Sequence, residues 1–210
     1  MLNEKRMGRI NFLEYFPDDY VEGKKPLMIY LHGAGERGDD LSKVNTYSPI
    51  KEMLAGNIRS DFIVLAPQCG DDKTWWDYAE TLYAWIVEYI RQPFVDASKV
   101  YLTGNSMGGY GTWSLAMAHP ELFAGIIPVC GGGMSWNAWV LKDMSVWAFH
   151  CVGDDIVPCS ATIEMINEVK KHSNKEVKIT IYPICSHDAW THTYHNQEVY
   201  DWLLGINKDI

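Results

Sequence analysis

Seven short apolar runs, set apart by stretches of helical periodicity, restrict the folds open to this chain. They are Ile10–Phe16, Leu27–Leu31, Phe62–Ala66, Val100–Thr103, Gly125–Val129, Val146–Cys151 and Val177–Tyr182. Several are apolar at nearly every position, as in parallel strands buried on both faces. Between them the period changes to 3.6. In Glu80–Arg91 the residues Leu82, Trp85, Ile86, Tyr89 and Ile90 make one stripe. Ser160–Lys171 turns Thr162, Met165, Ile166 and Val169 to one side, and Asp188–Leu204 reads as a terminal helix. This alternation predicts an α/β fold, a mostly parallel sheet with helices on both faces. The first run precedes Pro17-Asp18-Asp19-Tyr20 and Glu22-Gly23-Lys24-Lys25-Pro26, and is expected to pair antiparallel at one edge. The 210 residues contain no repeat and no Pro/Gly/Ser linker, so one domain is expected over 1–210.

In an open α/β sheet, ligands bind beyond the carboxyl ends of the strands. That rule sends His32–Asp40, Pro67–Asp77, Gly104–Met107, Cys130–Trp139, Val152–Pro158 and Ile184–Trp190 to one rim. One of these loops is Gly104-Asn105-Ser106-Met107-Gly108, directly behind Val100–Thr103 and ahead of a helical stretch, Met107–Ala118, that stops at His119-Pro120. A Gly-x-Ser-x-Gly between strand and helix is the spelling of a nucleophile elbow. The serine stands on a turn so sharp that the positions two residues away on either side have no room for a Cβ.

A serine hydroxyl needs a base to take its proton, and the base needs an acid to hold its tautomer. In this topology the chain order is Ser, acid, His. The rim loops after Ser106 supply Asp154 or Asp155 and then His187. Asp155 could equally cap the next helix or face solvent. His192 and His195 lie deeper in the terminal helix, and with Asp188 they match no common metal-ligand spacing, so no metal is expected. An oxyanion hole requires two backbone N–H groups. Met107, just after the serine, would give one. The glycine-rich loop Leu31-His32-Gly33-Ala34-Gly35-Glu36-Arg37-Gly38 would give the other, from Ala34 or, second, Gly35.

Of the nine tryptophans, Trp85, Trp113, Trp147 and Trp202 lie inside elements and read as core. Trp75, Trp76, Trp136, Trp139 and Trp190 lie on or beside rim loops. Trp75, Trp76 and Trp190, with Gly35, are candidate substrate contacts, since exposed rings there suit a sugar or phenolic ring as well as loop packing.

The net charge of −9 argues against nucleic acid as a partner. No apolar run is long enough to cross a membrane. The opening Met1-Leu2-Asn3-Glu4-Lys5-Arg6 lacks a signal-peptide core, which gives a cytoplasmic expectation. The five cysteines (Cys69, Cys130, Cys151, Cys159, Cys185) are odd in number and have no metal-site spacing, so reduced thiols are expected.

From about Pro26 to Leu204 the chain resembles the α/β-hydrolase superfamily. More narrowly, it is similar to compact esterases related to poly(hydroxybutyrate) depolymerases, dienelactone hydrolases and carbohydrate-esterase family one. The resemblance rests on Leu31–Gly38, Ala66-Pro67-Gln68, Gly104–Trp113, the acidic loop ending Val157-Pro158, and His187-Asp188-Ala189-Trp190-Thr191. It implies Ser106 as nucleophile, His187 as base, no cofactor, and Asp154 rather than Asp155 as acid, since the family's acid usually stands four residues before the Val-Pro proline, here Pro158. Cys151 departs from the family, which more often has Gly after the histidine. Serine at 106 argues against dienelactone hydrolase activity, which uses cysteine. The implied reaction is carboxylic-ester hydrolysis on a small-molecule or oligosaccharide ester, with short-acyl or feruloyl/acetyl esters of carbohydrate foremost. Cys130–Ser145 is too short to hold a full lid, so an open site is expected. The rivals are a prolyl-oligopeptidase-type serine peptidase, which would usually carry a gating domain, and a non-catalytic binding module on the same fold.

Overall fold

A computed structural model describes residues 1–17 and 23–208. Eight strands form one sheet: β1 (Leu2–Met7), β2 (Ile10–Tyr15), β3 (Lys25–Leu31), β4 (Ile63–Pro67), β5 (Val95–Asn105), β6 (Gly125–Val129), β7 (Ser145–Cys151) and β8 (Val177–Tyr182). Their order across the sheet is β1-β2-β4-β3-β5-β6-β7-β8. From β4 to β8 every pairing is parallel; β1–β2 and β2–β4 are antiparallel. The helices are α1 (Leu41–Val44), α2 (Pro49–Leu54), α3 (Ala79–Ile90), α4 (Met107–Ala118), α5 (Cys159–His172), α6 (Trp190–Tyr194) and α7 (Gln197–Leu204). This is the expected mostly parallel sheet covered on both faces, and each of the seven apolar runs falls on a strand.

The burial pattern explains why those runs were legible. β4, β6 and β7 are buried at every position, because helices cover both faces of the sheet there. One core cluster, under α3, α4 and α5, gathers Ile29, Leu31, Leu82, Trp85, Ile86, Leu102, Trp113, Met165 and Val169. The other, under α1, α2 and α7, gathers Met28, Tyr30, Ile50, Val64, Tyr101, Phe149, Val199 and Tyr200. The stripes read in α3 and α5 are the buried faces, apart from Ile90, which packs half-buried against the core.

Three expectations change. The run Ile10–Phe16 does pair antiparallel, but β1 lies outside it and is the edge. Asn3-Glu4-Lys5-Arg6 gives β1 a mostly exposed, charged surface with no apolar alternation, a composition that protects a sheet edge from further pairing. The second correction is the terminal helix, which is two helices. The Asp188 carboxylate accepts from Thr191 N–H at the start of α6, and Asn196 caps α7 by accepting from Glu198 N–H, which resets the chain direction between them. Third, Trp202 is only half-buried, donating its indole N–H to Glu176. Part of the loop expected after the first run, 18–22, lies outside the described residues. Among the described residues no helix is long and apolar enough to cross a membrane. The segment between β6 and β7 holds only a 3-10 turn, Ser135–Leu141, in place of a lid.

Candidate active site

The elbow is built by close approach. Ser106 ends β5 and starts α4 with φ 55° and ψ −116°, a backbone state that costs a non-glycine residue on the order of 1–3 kcal/mol. Its N–H donates to the Val129 carbonyl of β6 at 2.9 Å, and its carbonyl accepts from Tyr110 N–H at 3.1 Å, so both sides of the turn are pinned. A Cβ on Gly104 would overlap the Gly108 carbonyl oxygen, and one on Gly108 would overlap the Leu31 carbonyl oxygen. Both glycines are required sterically, as the spacing predicts.

Two other rim loops bring a histidine and a carboxylate to this serine. His187, between β8 and α6, places Nε2 2.7 Å from Ser106 Oγ. Its Nδ1 lies 2.7 Å from Asp154 Oδ2. The hydrogen bonds assign the tautomer: Nδ1–H donates to the carboxylate, leaving Nε2 to accept from the serine hydroxyl. Asp154 is the buried member of its pair, with its side chain fully out of solvent, whereas Asp155 is exposed. Burial opposes the Asp154 charge. Hydrogen bonds from His187 and from Val157 and Ile156 N–H outweigh it and hold the carboxyl below the usual carboxylate range.

The loop after β3 packs against the elbow, its Leu31 carbonyl beside Gly108 and its Gly33 beside Asn105, and forms a 3-10 turn at Ala34–Glu36 with Ala34 and Gly35 exposed. Its base is fixed by His32, which is completely buried. Nδ1 of His32 lies 2.6 Å from the Gly33 carbonyl and Nε2 accepts from Cys69 N–H at 2.9 Å, which defines a neutral ring. Burial, with the Arg37 charge adding to it, overrides the Gly33 carbonyl and lowers its pKa to about 4. Trp75 N–H donates to the His32 carbonyl at 2.9 Å, and the Trp75 ring fills the space beside Gly111. Trp75 is 2% exposed, which corrects its reading as a substrate contact: it braces the loop from below.

The remaining candidates divide. Trp76 is 52% exposed beside Tyr110, their ring centroids 6.2 Å apart. Trp190 packs edge-on against the His187 ring at 5.1 Å. Gly35 has open space where a Cβ would go, so nothing steric demands glycine there. His195 pairs with Glu52 at 2.8 Å and His192 lies against Tyr182, away from the serine. Among the described residues one group of metal-ligand type occurs, Cys130, His150 and Asp154. The Asp154 oxygens and the His150 nitrogens in it are already engaged in hydrogen bonds.

One cysteine expectation fails. Cys151 and Cys185 form a disulfide with their Cα atoms 5.6 Å apart; Cys69, Cys130 and Cys159 are free. The bond joins the end of β7, three residues before Asp154, to the loop two residues before His187. The odd cysteine count pointed away from this pairing, which depends on β7 lying beside β8.

Residues 26–149 match the α/β hydrolase fold family, and the chain belongs to it. Over 159 residues the chain is 25% identical to the bifunctional acetylxylan esterase/xylanase XynS20E of Neocallimastix patriciarum, a match covering 73% of this chain and 23% of that protein. A thermostable esterase of known structure superposes with a TM-score of 0.82 at 27% identity, over 99% of this chain and 63% of its own. The chain thus spans only part of the length of both. The feruloyl esterase module of Clostridium thermocellum, solved as an S954A mutant with sinapinate, shares the fold, with a TM-score of 0.73 at 15% identity over 97% of this chain and 86% of that one.

Proposed function

We propose that this protein is a serine esterase working through an acyl-enzyme. The observation that carries the reading is the unbroken chain from Ser106 Oγ to His187 to Asp154, both links 2.7 Å, ending on a serine held in a strained turn. Ser106 Oγ attacks the ester carbonyl as His187 Nε2 takes its proton. The Asp154 carboxylate stabilises the imidazolium that forms. The tetrahedral oxyanion is held by Met107 N–H, at the start of α4, and by Ala34 N–H, with Gly35 as the alternative donor. His187 then protonates the leaving alcohol, and water, deprotonated by His187, frees the acid and restores Ser106.

The substrate class is an acetyl or feruloyl ester of a carbohydrate. Two features support this. Among the described residues no lid covers the rim, which favours short acyl groups on a bulky alcohol over long lipid chains. An apolar groove of about 270 Å³, lined by Trp76, Tyr110, Ser114, Met117, Gly132, Gly133 and Met134, begins one helical turn from Ser106. Trp76, Met134, Trp136 and Trp139 are each at least half exposed nearby or on the same rim, offering faces to sugar or phenolic rings.

A panel of acetyl, feruloyl and long-chain esters, with matched amides, tests the reading on wild type and Ser106→Ala. Ester turnover lost in Ser106→Ala, and labelling of wild type by a fluorophosphonate, is the expected result. A well-folded wild type that neither turns over esters nor takes the label would overturn it, and a preference for long acyl chains would overturn the substrate class.

A further inference from the structure

His150 stands on β7 four residues before Asp154 and is completely buried. Its Nε2 is 2.9 Å from the Val157 carbonyl and 3.2 Å from Asp154 Oδ2, the same oxygen that receives His187 Nδ1–H. A carbonyl only accepts, so Nε2 carries a proton. Nδ1 is 2.7 Å from Thr162 Oγ1, and that hydroxyl is 2.5 Å from the Gly131 carbonyl. Thr162 has one proton for two claimants. If His150 took it, two oxygens bearing only lone pairs would face each other at 2.5 Å between Thr162 and Gly131. If Nδ1 is protonated, the bonds run from His150 to Thr162 to Gly131 and every group is satisfied.

We infer that His150 is an imidazolium that acts as a positioning residue, bracing the same Asp154 oxygen that His187 engages and holding the carboxylate ionised and aimed. The reading rests on the proposed roles of Ser106, His187 and Asp154. Burial, the largest influence, together with the His187 charge, pushes the His150 pKa below its ordinary value against the Val157 carbonyl and the Asp154 carboxylate; the proton on Nδ1 is required instead by the hydrogen bond that Thr162 gives to Gly131. The other titratable groups facing this cluster are His187 from the β8–α6 loop, the Cys130 thiol behind β6 and the Cys159 thiol at the start of α5. Burial keeps both thiols protonated, so among the described residues Asp154 is the one anion there.

The charge has a kinetic consequence. A cation beside the Asp154–His187 pair lowers the proton affinity of His187, so the base stays free to lower pH. Removing the cation moves the acid limb of kcat/KM upward, since that limb reports protonation of the free base. His150→Leu removes donor and charge; His150→Gln keeps a donor near Nε2 without the charge. With a chromogenic acetyl ester, His150→Leu should lose about tenfold in plateau kcat/KM and shift its acid limb up by about half a pH unit or more. His150→Gln should regain most of the plateau and keep the shifted limb. Unmoved limbs in both variants, with native circular dichroism and fluorophosphonate labelling, would overturn the proposal. Nitrogen NMR of the wild-type histidines gives a second reading that needs no variant: both ring nitrogens of His150 protonated at pH 7 supports it, and one lone-pair nitrogen sinks it. Activity surviving in Ser106→Ala would instead strike the esterase reading itself.

Discussion

At the residue scale, the site depends on positions where one atom more or less is decisive. A methyl on Gly108 would occupy the place of the Leu31 carbonyl oxygen, so Gly108→Ala must push α4 away from β3. Gly108→Ala should cost about 3 kcal/mol or more, read as a lowered urea midpoint; an unchanged midpoint would mean the elbow relaxes freely. Asp154→Asn keeps the shape but removes the charge and leaves His187 in the wrong tautomer. Its kcat should fall by about 10³–10⁴-fold with Tm little changed. Full activity in this variant would move the acid to Asp155. Ser106 and His187 were legible because strand, turn and loop chemistry fix their order, whereas Asp154 was separated from Asp155 only by the resemblance, which sets the acid four residues before Pro158. Trp75 was misread because a tryptophan on a rim loop looks the same in sequence whether its ring faces out or lies under the loop.

At the scale of elements, the Cys151–Cys185 bond ties the loop carrying Asp154 to the loop carrying His187. It closes a segment of 34 residues. On the chain-entropy account such a link contributes about 3–4 kcal/mol, largely by restricting the unfolded chain. Reduction, or Cys151→Ser with Cys185→Ser, should lower Tm by about 10 °C. Thiol titration of the denatured, unreduced protein should find the three free cysteines. Five titratable thiols, or an unmoved Tm, would restore the expectation of reduced cysteines. Pairing escaped the sequence reading because it depends on β7 lying beside β8, a neighbour relation that apolar runs alone do not state. β1, α1 and α2 escaped it for another reason: they are short or polar, and their positions follow from what they cap or cover.

Across the whole molecule, the buried neutral His32 links stability to pH. Its pKa falls from 6.5 to about 4 on folding, so as pH drops the unfolded chain binds the proton first. The stabilisation is complete above pH 6.5 and is lost as pH falls toward 4, about 3 kcal/mol in all. Asp154, also depressed, adds a loss in a more acidic window, as pH falls through its lowered value. Urea unfolding at pH 7 and pH 4.5 should show a steep fall in wild type and a flatter one in His32→Gln. Equal slopes would place the acid sensitivity elsewhere.

The sequence by itself determined the alternation of strand and helix, the parallel sheet and the serine on its sharp turn, because burial periodicity and turn sterics act locally. Tertiary structure alone decided which edge β1 protects, which cysteines meet, that Trp75 lies beneath the loop, and that His150 shares an oxygen of Asp154 with His187. Those outcomes depend on distances between segments far apart in the chain, which only packing across the sheet sets.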